Sequence, residues 1–551
     1  MLGAASPGRA ATARRAVTPV SESTVVLDGE SLTPADVAAV AREGAEIAVA
    51  DDAREAVRAA RERVEDVVES DEAVYGVTTG FGELVDERIP REEVAQLQTN
   101  LLRSHSAASG DPLPTEAVRA MLVARVNALL AGYSGVREVV VDHLVTMLNR
   151  GVTPVVPRTG SLGASGDLAP LAHAAIVLIG EGEAEIEDDR LDGDAALARA
   201  GLEPLTLGAK EGLALINGTQ LTVGLGALLV VDTEGLVRAA DVAGALTTEV
   251  TLSSTVPSHP AIQAVRPHDG QAASAANVRR LTADSEIVDS HRNCDRVQDA
   301  YSTRCLPQVH GAVRDALAHL REAVEVELNS ATDNPLVFRR DSVAGRSDEA
   351  ATDRASGTDR AAVLSGGNFH GAPLAHRLDY LAAALTDLAT ISERRVDRML
   401  NPNTQEPHLP PFLTDEPGLR SGYMIAQYTA AALVNECRAT DRAATDNTPV
   451  SGNQEDHVSM SATAAWSARE TADRVGRVLG IELLCGAQAA EFVDDLAPGR
   501  GSGTAYEAVR ERVPPLEADR PLADEMAAVA DLVRSGALET RVNEALDEPL
   551  V

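Results

Sequence analysis

The hydrophobic positions along this chain change character near residue 212. From Leu213 to Leu252 an apolar side chain falls on nearly every turn of a helix, and no proline interrupts the run. Similar stretches run from Val309 to Leu328, Pro373 to Met399, Ser421 to Arg438 and His457 to Phe492. A surface helix carries one apolar stripe, whereas helices that are apolar all round are buried in a bundle. Prolines gather between the runs, at Pro257 and Pro260, at Pro335 and from Pro402 to Pro411, and mark the turns. Alternation of the strand type is scarce. The pattern predicts a mainly α protein in four regions. Residues 1–22 read as a disordered extension, 23–225 as a smaller region of mixed loops and helices, 226–495 as an elongated bundle of long helices, and 496–551 as a helical tail. Residues 339–361 are polar and aperiodic and read as a surface loop insertion.

Charge changes the picture next. There are 84 acidic residues against 49 basic ones, a formal net charge of −35. Such a surface repels itself at low salt, and at molar salt the Debye length falls to about 3 Å and screens it. Lys210 is the only lysine, and aromatics make up 2%. A carboxylate-covered surface over a core of small side chains suits a salt-rich cytoplasm. It argues against nucleic acid as a partner, because phosphate binding needs a positive footprint. No apolar stretch is expected to reach the roughly 18–20 residues of a membrane span. The N-terminal arginines lack the apolar core of a secretory signal. Cys294, Cys305, Cys437 and Cys485 make no C-x-x-C pair and read as reduced thiols of a reducing compartment.

Chemistry concentrates at Gly163-Ala164-Ser165-Gly166-Asp167. A turn that pushes the Gly166 nitrogen onto the Ala164 carbonyl carbon closes a five-membered ring, and glycine allows the backbone angles this needs. Loss of two waters, one from the Ser165 side chain, leaves an exocyclic methylene, an electrophile that no unmodified side chain provides. The plainer reading is a Ser-Gly turn before a helix, with Asp167 near the positive helix end. Further polar clusters interrupt the apolar runs: Tyr75 in a glycine-punctuated loop, Asn217-Gly218-Thr219-Gln220, Gln298 with Tyr301 and Arg304, Gly366-Gly367-Asn368-Phe369-His370, and Asn453-Gln454-Glu455-Asp456-His457. Buried polar groups are costly unless partnered. If helical, Gln298, Tyr301 and Arg304 share one face. Other catalytic signatures are weak. Lys210 is the one candidate for a pyridoxal phosphate Schiff base and has no phosphate-cradling glycine loop beside it. No G-x-S-x-G, P-loop or metal-ligand set is present.

Taken in order, these motifs resemble the aromatic amino acid ammonia-lyase family. The match covers roughly residues 25 to 495, and includes Tyr75 to Gly82, Gly163 to Pro170, Asn217 to Gln220, Gln298 to Tyr301, Asp333-Asn334-Pro335 and Gly366 to His370. Within the family the likeness is to histidine-acting members. Ser104-His105 stands where phenylalanine enzymes carry an apolar pair and tyrosine enzymes His-Leu, and Glu455 stands where phenylalanine enzymes carry glutamine. A histidine and a carboxylate can pair with both nitrogens of an imidazole. An apolar pair would leave them unsatisfied at about 1–3 kcal/mol each. Gly371-Ala372-Pro373 departs from the Ala-Glu-Pro of many bacterial relatives.

The resemblance implies a carbon–nitrogen lyase that eliminates ammonia from L-histidine to give trans-urocanate. It implies a 4-methylidene-imidazol-5-one (MIO) ring formed from Ala164, Ser165 and Gly166, with no external cofactor and no metal. Tyr75 is the expected base for the β-proton, with Tyr301 as a polar partner across the site. Arg304 is expected to hold the substrate carboxylate, Asn217 and Gln298 to hydrogen-bond ring and substrate, Phe369 to pack near the ring, and His105 and Glu455 to bind the imidazole. It also implies a homotetramer whose sites draw on three chains. Alternatives within the family are a tyrosine or phenylalanine ammonia-lyase or an aminomutase. The alternative outside it is a non-catalytic helical scaffold.

Overall fold

The apolar runs fold as helices. A computed structural model describes residues 24–70, 74, 77, 93–292, 296–343, 356–445, 447–493 and 495–551. In chain order, the helices that matter for the site are α1 (Val94–His105), α2 (Thr115–Leu130), α3 (Leu168–Ala175) and α4 (Glu211–Ile216). They are followed by α5 (Gln220–Val250), α6 (Tyr301–Arg304), α7 (Leu306–Leu328), α8 (Ala372–Leu400), α9 (Met424–Arg438) and α10 (Ser461–Ala490). The protein is mainly α, at 61% helix and 8% strand.

The bundle is built on α5, which packs against α2, α7, α8 and α10, while α8 and α10 pack along each other. Small side chains let these helices approach closely. Gly244 faces Leu306 of α7, and Gly486 of α10 faces Leu246 of α5. One hydrophobic cluster runs through the molecule from Val25 to Leu550. Among the described residues, α5 is the one helix long and apolar enough to cross a membrane, which departs from the expectation that no stretch is. Yet 78% of its most apolar window is buried inside the protein, so the same composition serves as a bundle core.

The strands are short. Ser109–Pro112 pairs antiparallel with Pro157–Thr159, and the latter leads directly into the 160–167 loop. The 339–361 stretch is not loop throughout. β1 (Leu336–Arg339), β2 (Ser356–Gly357) and β3 (Ala361–Leu364) form an antiparallel sheet in the order β1-β3-β2, with Arg339 opposite Ala361. Val337, Ala361 and Val363 are buried in a second, smaller apolar cluster with Val64, Val67 and Ala209. Hence the polar stretch joins two strands that are themselves part of a core.

Candidate active site

Three distant segments grip the 160–167 loop. The Met460 amide donates to Leu162 O (2.8 Å), and the Gly371 amide to Gly163 O (3.0 Å). Ser459 Oγ also donates to Gly163 O, at 2.8 Å. On the other side Asn217 Nδ2 donates to Ser165 O (3.0 Å), and the Asp167 amide to Gly218 O (2.7 Å). Gly166 and Gly218 lie side by side as a parallel bridge. Gly166 has φ +79°, and a Cβ there would overlap the Gly218 carbonyl, so glycine is required on both counts. The turn is therefore wedged between Gly218 and the 459–461 segment, with Ala164 buried.

Asp167 anchors this loop to the bundle. Its fully buried carboxyl accepts from Ser161 Oγ (2.6 Å), the Thr222 amide (2.9 Å) and Thr222 Oγ1 (3.2 Å). Thr222 lies in the first turn of α5, where unpaired amides and the helix dipole favour a carboxylate. Burial raises the Asp167 pKa, and these hydrogen bonds oppose the rise. Asn217 occupies the break between α4 and α5. Among the described residues its buried Oδ1 has no hydrogen-bond partner, although its Nδ2 holds Ser165. A buried orphan acceptor beside the tripeptide is a place for another donor.

Glu455 meets Ser165, and its charge also acts on His105. Ser165 Oγ donates to Glu455 Oε1 at 2.9 Å. His105 ends α1, and its Nδ1 lies 2.9 Å from the Leu101 carbonyl. A carbonyl only accepts, so Nδ1 carries the proton and neutral His105 offers Nε2 as an acceptor. Burial lowers the His105 pKa, while the charge of Glu455 pulls the other way. Phe369 is half-buried, two residues before the Gly371 that holds Gly163. Beside it, His370 stacks on His457 at 5.8 Å and approaches the His457 carbonyl at 3.2 Å.

Gln298, Tyr301 and Arg304 are elsewhere. The Asp299 carboxylate accepts from the Ser254 amide (2.9 Å), and Thr303 Oγ1 lies 3.3 Å from Ser253 Oγ. Both serines follow the C-terminal end of α5, whereas Asn217 precedes its N-terminal end. The helix has 31 residues, a length of about 46 Å at 1.5 Å per residue. Tyr301 is 71% exposed there. Only Tyr301 and Arg304 are helical, and Gln298 lies in the loop before α6, so the shared helical face covers two of the three residues. Tyr75 lies outside the described residues.

The family model for aromatic amino acid lyases matches residues 32–511. The chain belongs to the aromatic amino acid lyase family. It is 63% identical over 527 residues to a probable histidine ammonia-lyase of Halobacterium salinarum, covering 96% of this chain and 99% of that relative. Its fold is similar to the crystal structure of histidine ammonia-lyase from Trypanosoma cruzi, with TM-score 0.85 and 39% identity over 96% of each chain. It is equally similar to a tyrosine aminomutase from Streptomyces globisporus, with TM-score 0.88 and 38% identity, covering 96% of this chain and 100% of that one. The fold of this lyase therefore does not separate substrates, and local residues must.

One residue beside the lyase site, Arg125, escaped sequence reading. The buried Arg125 guanidinium of α2 donates to Ala214 O (3.0 Å) and Asn217 O (2.9 Å) and also binds Gln220. Burial pulls its pKa down to about 10, although Asp333 and Asp167 counter this. An arginine inside an apolar helix is the signal, since a buried charge demands partners. Lys210 Nζ donates to Asp333 Oδ2 at 2.7 Å with both side chains buried, so the one lysine is committed to an ion pair. Burial lowers its pKa. Among the described residues no group of three or more His, Cys, Asp or Glu is placed to hold a metal ion.

Proposed function

We propose that this lyase eliminates ammonia from L-histidine to give trans-urocanate, as a histidine ammonia-lyase. The observation that carries the reading is Glu455 at Ser165, its Oε1 2.9 Å from Ser165 Oγ, with its charge acting on His105 at the end of α1. Neutral His105 presents an acceptor, and Glu455 adds a carboxylate. Together they satisfy an imidazole that has one donor and one acceptor nitrogen. A phenol or a bare phenyl ring would leave at least one of them unpaired. A tyrosine- or phenylalanine-acting lyase or an aminomutase is the second reading, favoured only by the equal fold similarity to a tyrosine aminomutase.

The residues at 164–166 fit a cyclised MIO ring. The turn is squeezed at Gly166, the Ser165 hydroxyl is held by a carboxylate, and the orphan Asn217 Oδ1 awaits a donor. Such a ring would supply an electrophilic methylidene toward the substrate's amine, which would make that amine a better leaving group. Asn217 holds the ring region and meets the amine side of the substrate. Once Ser165 has lost its hydroxyl, the Glu455 oxygen that accepted from it is free for the substrate imidazole. Tyr75 takes the β-proton as general base. Arg304 clamps the substrate carboxylate in a fork, which lysine cannot copy. Gln298 and Tyr301 supply polar contacts, and Phe369 packs against the ring.

Because Tyr301 and Arg304 stand an α5 length away from Ser165, we assign them to the site of a second copy within a homotetramer. Tyr301, exposed on a single chain, is suited to that contact. In this reading residues 23–225 carry the ring, 226–495 form the assembling bundle and 496–551 pack as a tail. The net charge of −35 supports a salt-rich cytoplasm as the working medium. The test is a purified-enzyme assay at molar salt with L-histidine, L-tyrosine and L-phenylalanine. Rising urocanate absorbance with L-histidine supports the reading. Coumarate, cinnamate or a β-amino acid as the main product overturns it.

A further inference from the structure

We propose that Glu327 is a positioning residue for ring formation, acting through Thr219 on the Gly218 backbone that walls in Gly166. The proposal rests on the reading that residues 164–166 cyclise. Glu327 lies in the last turn of α7, and its Oε1 accepts from Thr219 Oγ1 at 2.5 Å. Burial, with the charge of Asp167 adding to it, pushes the Glu327 carboxyl up to about 6.

The placement of Thr219 is unusual. It is the N-cap residue of α5, and a threonine there ordinarily turns its hydroxyl onto its own helix's amides. Here it makes no such cap. Asp167 from another segment takes the Thr222 amide instead, at 2.9 Å, and leaves the Thr219 hydroxyl to reach sideways to Glu327. Local capping is given up for a tertiary strut, and departures of this kind gather at functional sites.

The strut completes a clamp. Gly218 sits in a left-handed conformation at φ +140°, and its carbonyl occupies the space beside Gly166. On its N-terminal side Asn217 is fixed by Arg125 to Asn217 O (2.9 Å) and by its own Nδ2 to Ser165 O (3.0 Å). On its C-terminal side the fixed points are Thr219 on Glu327 and Gln220 Nε2 on Thr332 Oγ1 (2.7 Å). Ring closure forms a bond from the Gly166 nitrogen to the Ala164 carbonyl carbon. The carbonyl oxygen leaves as water with the Gly166 and Ser165 amide hydrogens. The Ser165 hydroxyl leaves with its own Cα proton as the second water, and a Cα=Cβ double bond remains. The slow requirement is close approach of nitrogen to carbonyl carbon, and a wall that keeps the turn from relaxing supplies it.

The test compares intact mass over time for the wild-type chain, Glu327→Gln, Glu327→Ala and Thr219→Ala, each isolated as soluble oligomer. Glu327→Gln keeps an acceptor for the Thr219 hydroxyl and should lose both waters at the wild-type rate. Glu327→Ala and Thr219→Ala should lose them about tenfold more slowly, the effect of one hydrogen bond to a buried group. If Glu327→Ala does not yield soluble protein, Thr219→Ala decides alone. Wild-type maturation rates in Glu327→Ala and Thr219→Ala overturn the proposal, as does a Glu327→Gln chain that matures as slowly as Glu327→Ala. A wild-type chain at its sequence mass overturns the ring itself, and this role with it.

Discussion

If each site draws Ser165 from one chain and Arg304 from another, two dead variants should rescue each other. The two residues flank opposite ends of α5, whose 31 residues span about 46 Å, so no single chain brings them together. Ser165→Ala removes the source of the electrophile. Arg304→Ala removes the carboxylate clamp, a loss of about 2–5 kcal/mol or at least about 30-fold in kcat/KM. Each variant alone should therefore be close to inactive. In tetramers assembled from equal amounts of both, a site works when its Ser165 half comes from the Arg304→Ala chain and its Arg304 half from the Ser165→Ala chain. Random assembly gives about one site in four. The assay is urocanate formation by co-expressed, co-purified chains at molar salt. Recovery of about a quarter of wild-type activity per site is expected, and none on mixing separately purified variants. Co-expressed chains no more active than either variant alone would refute the division of the site between copies.

Three further outcomes follow from the same geometry. Gly166→Ala should never lose the two waters, and should destabilise the fold by about 2–5 kcal/mol from positive φ and overlap with Gly218; normal mass loss with an unchanged urea midpoint would contradict the squeezed turn. Glu455→Gln should keep the mass deficit yet lose about 10- to 100-fold in kcat/KM for L-histidine, because a charged hydrogen-bond partner is removed; unchanged turnover would remove Glu455 from the imidazole site. Folding lifts the Glu327 carboxyl from its ordinary 4.5 to about 6, so the folded chain binds the extra proton in that window and stability falls as pH rises through it. Glu327→Gln removes this loss, and should gain about 2 kcal/mol at pH 7.5 and little at pH 4 in denaturant titrations; parallel stability curves for both chains would contradict it.

The long helices were legible because apolar side chains recur at helical spacing, although only α5 and α10 are buried on most sides, while α7 and α8 bury fewer than half of their residues. Val309 to Leu328 became Leu306–Leu328, and Pro373 to Met399 became Ala372–Leu400. Boundaries shifted where tertiary contacts compete. The run from His457 begins its helix only at Ser461, because Met460 takes φ +51° and gives its amide to Leu162 O. The strands β1 and β3 were invisible because β3 reads Ala-Ala-Val-Leu, largely buried, without the alternation that betrays a half-exposed strand. In the site, Ser165, Asn217, His105 and Glu455 could be picked out as polar residues in motifs. The meeting of Ser165 with Asn217 and Glu455, and the separation of Tyr301 and Arg304 from Ser165, could not, since spacing carries no distance across a bundle. Arg125 and Glu327 were missed, and Thr219 was seen only as part of a motif, because their significance lies in which segment each one braces.

In the proposed function the chain builds its own electrophile from Ala164, Ser165 and Gly166. Intact mass spectrometry of the purified chain tests it most directly. The wild-type protein should be lighter than its sequence by two water molecules, and Ser165→Ala should not show that full deficit. A wild-type chain at its full sequence mass that still forms urocanate would contradict the claim.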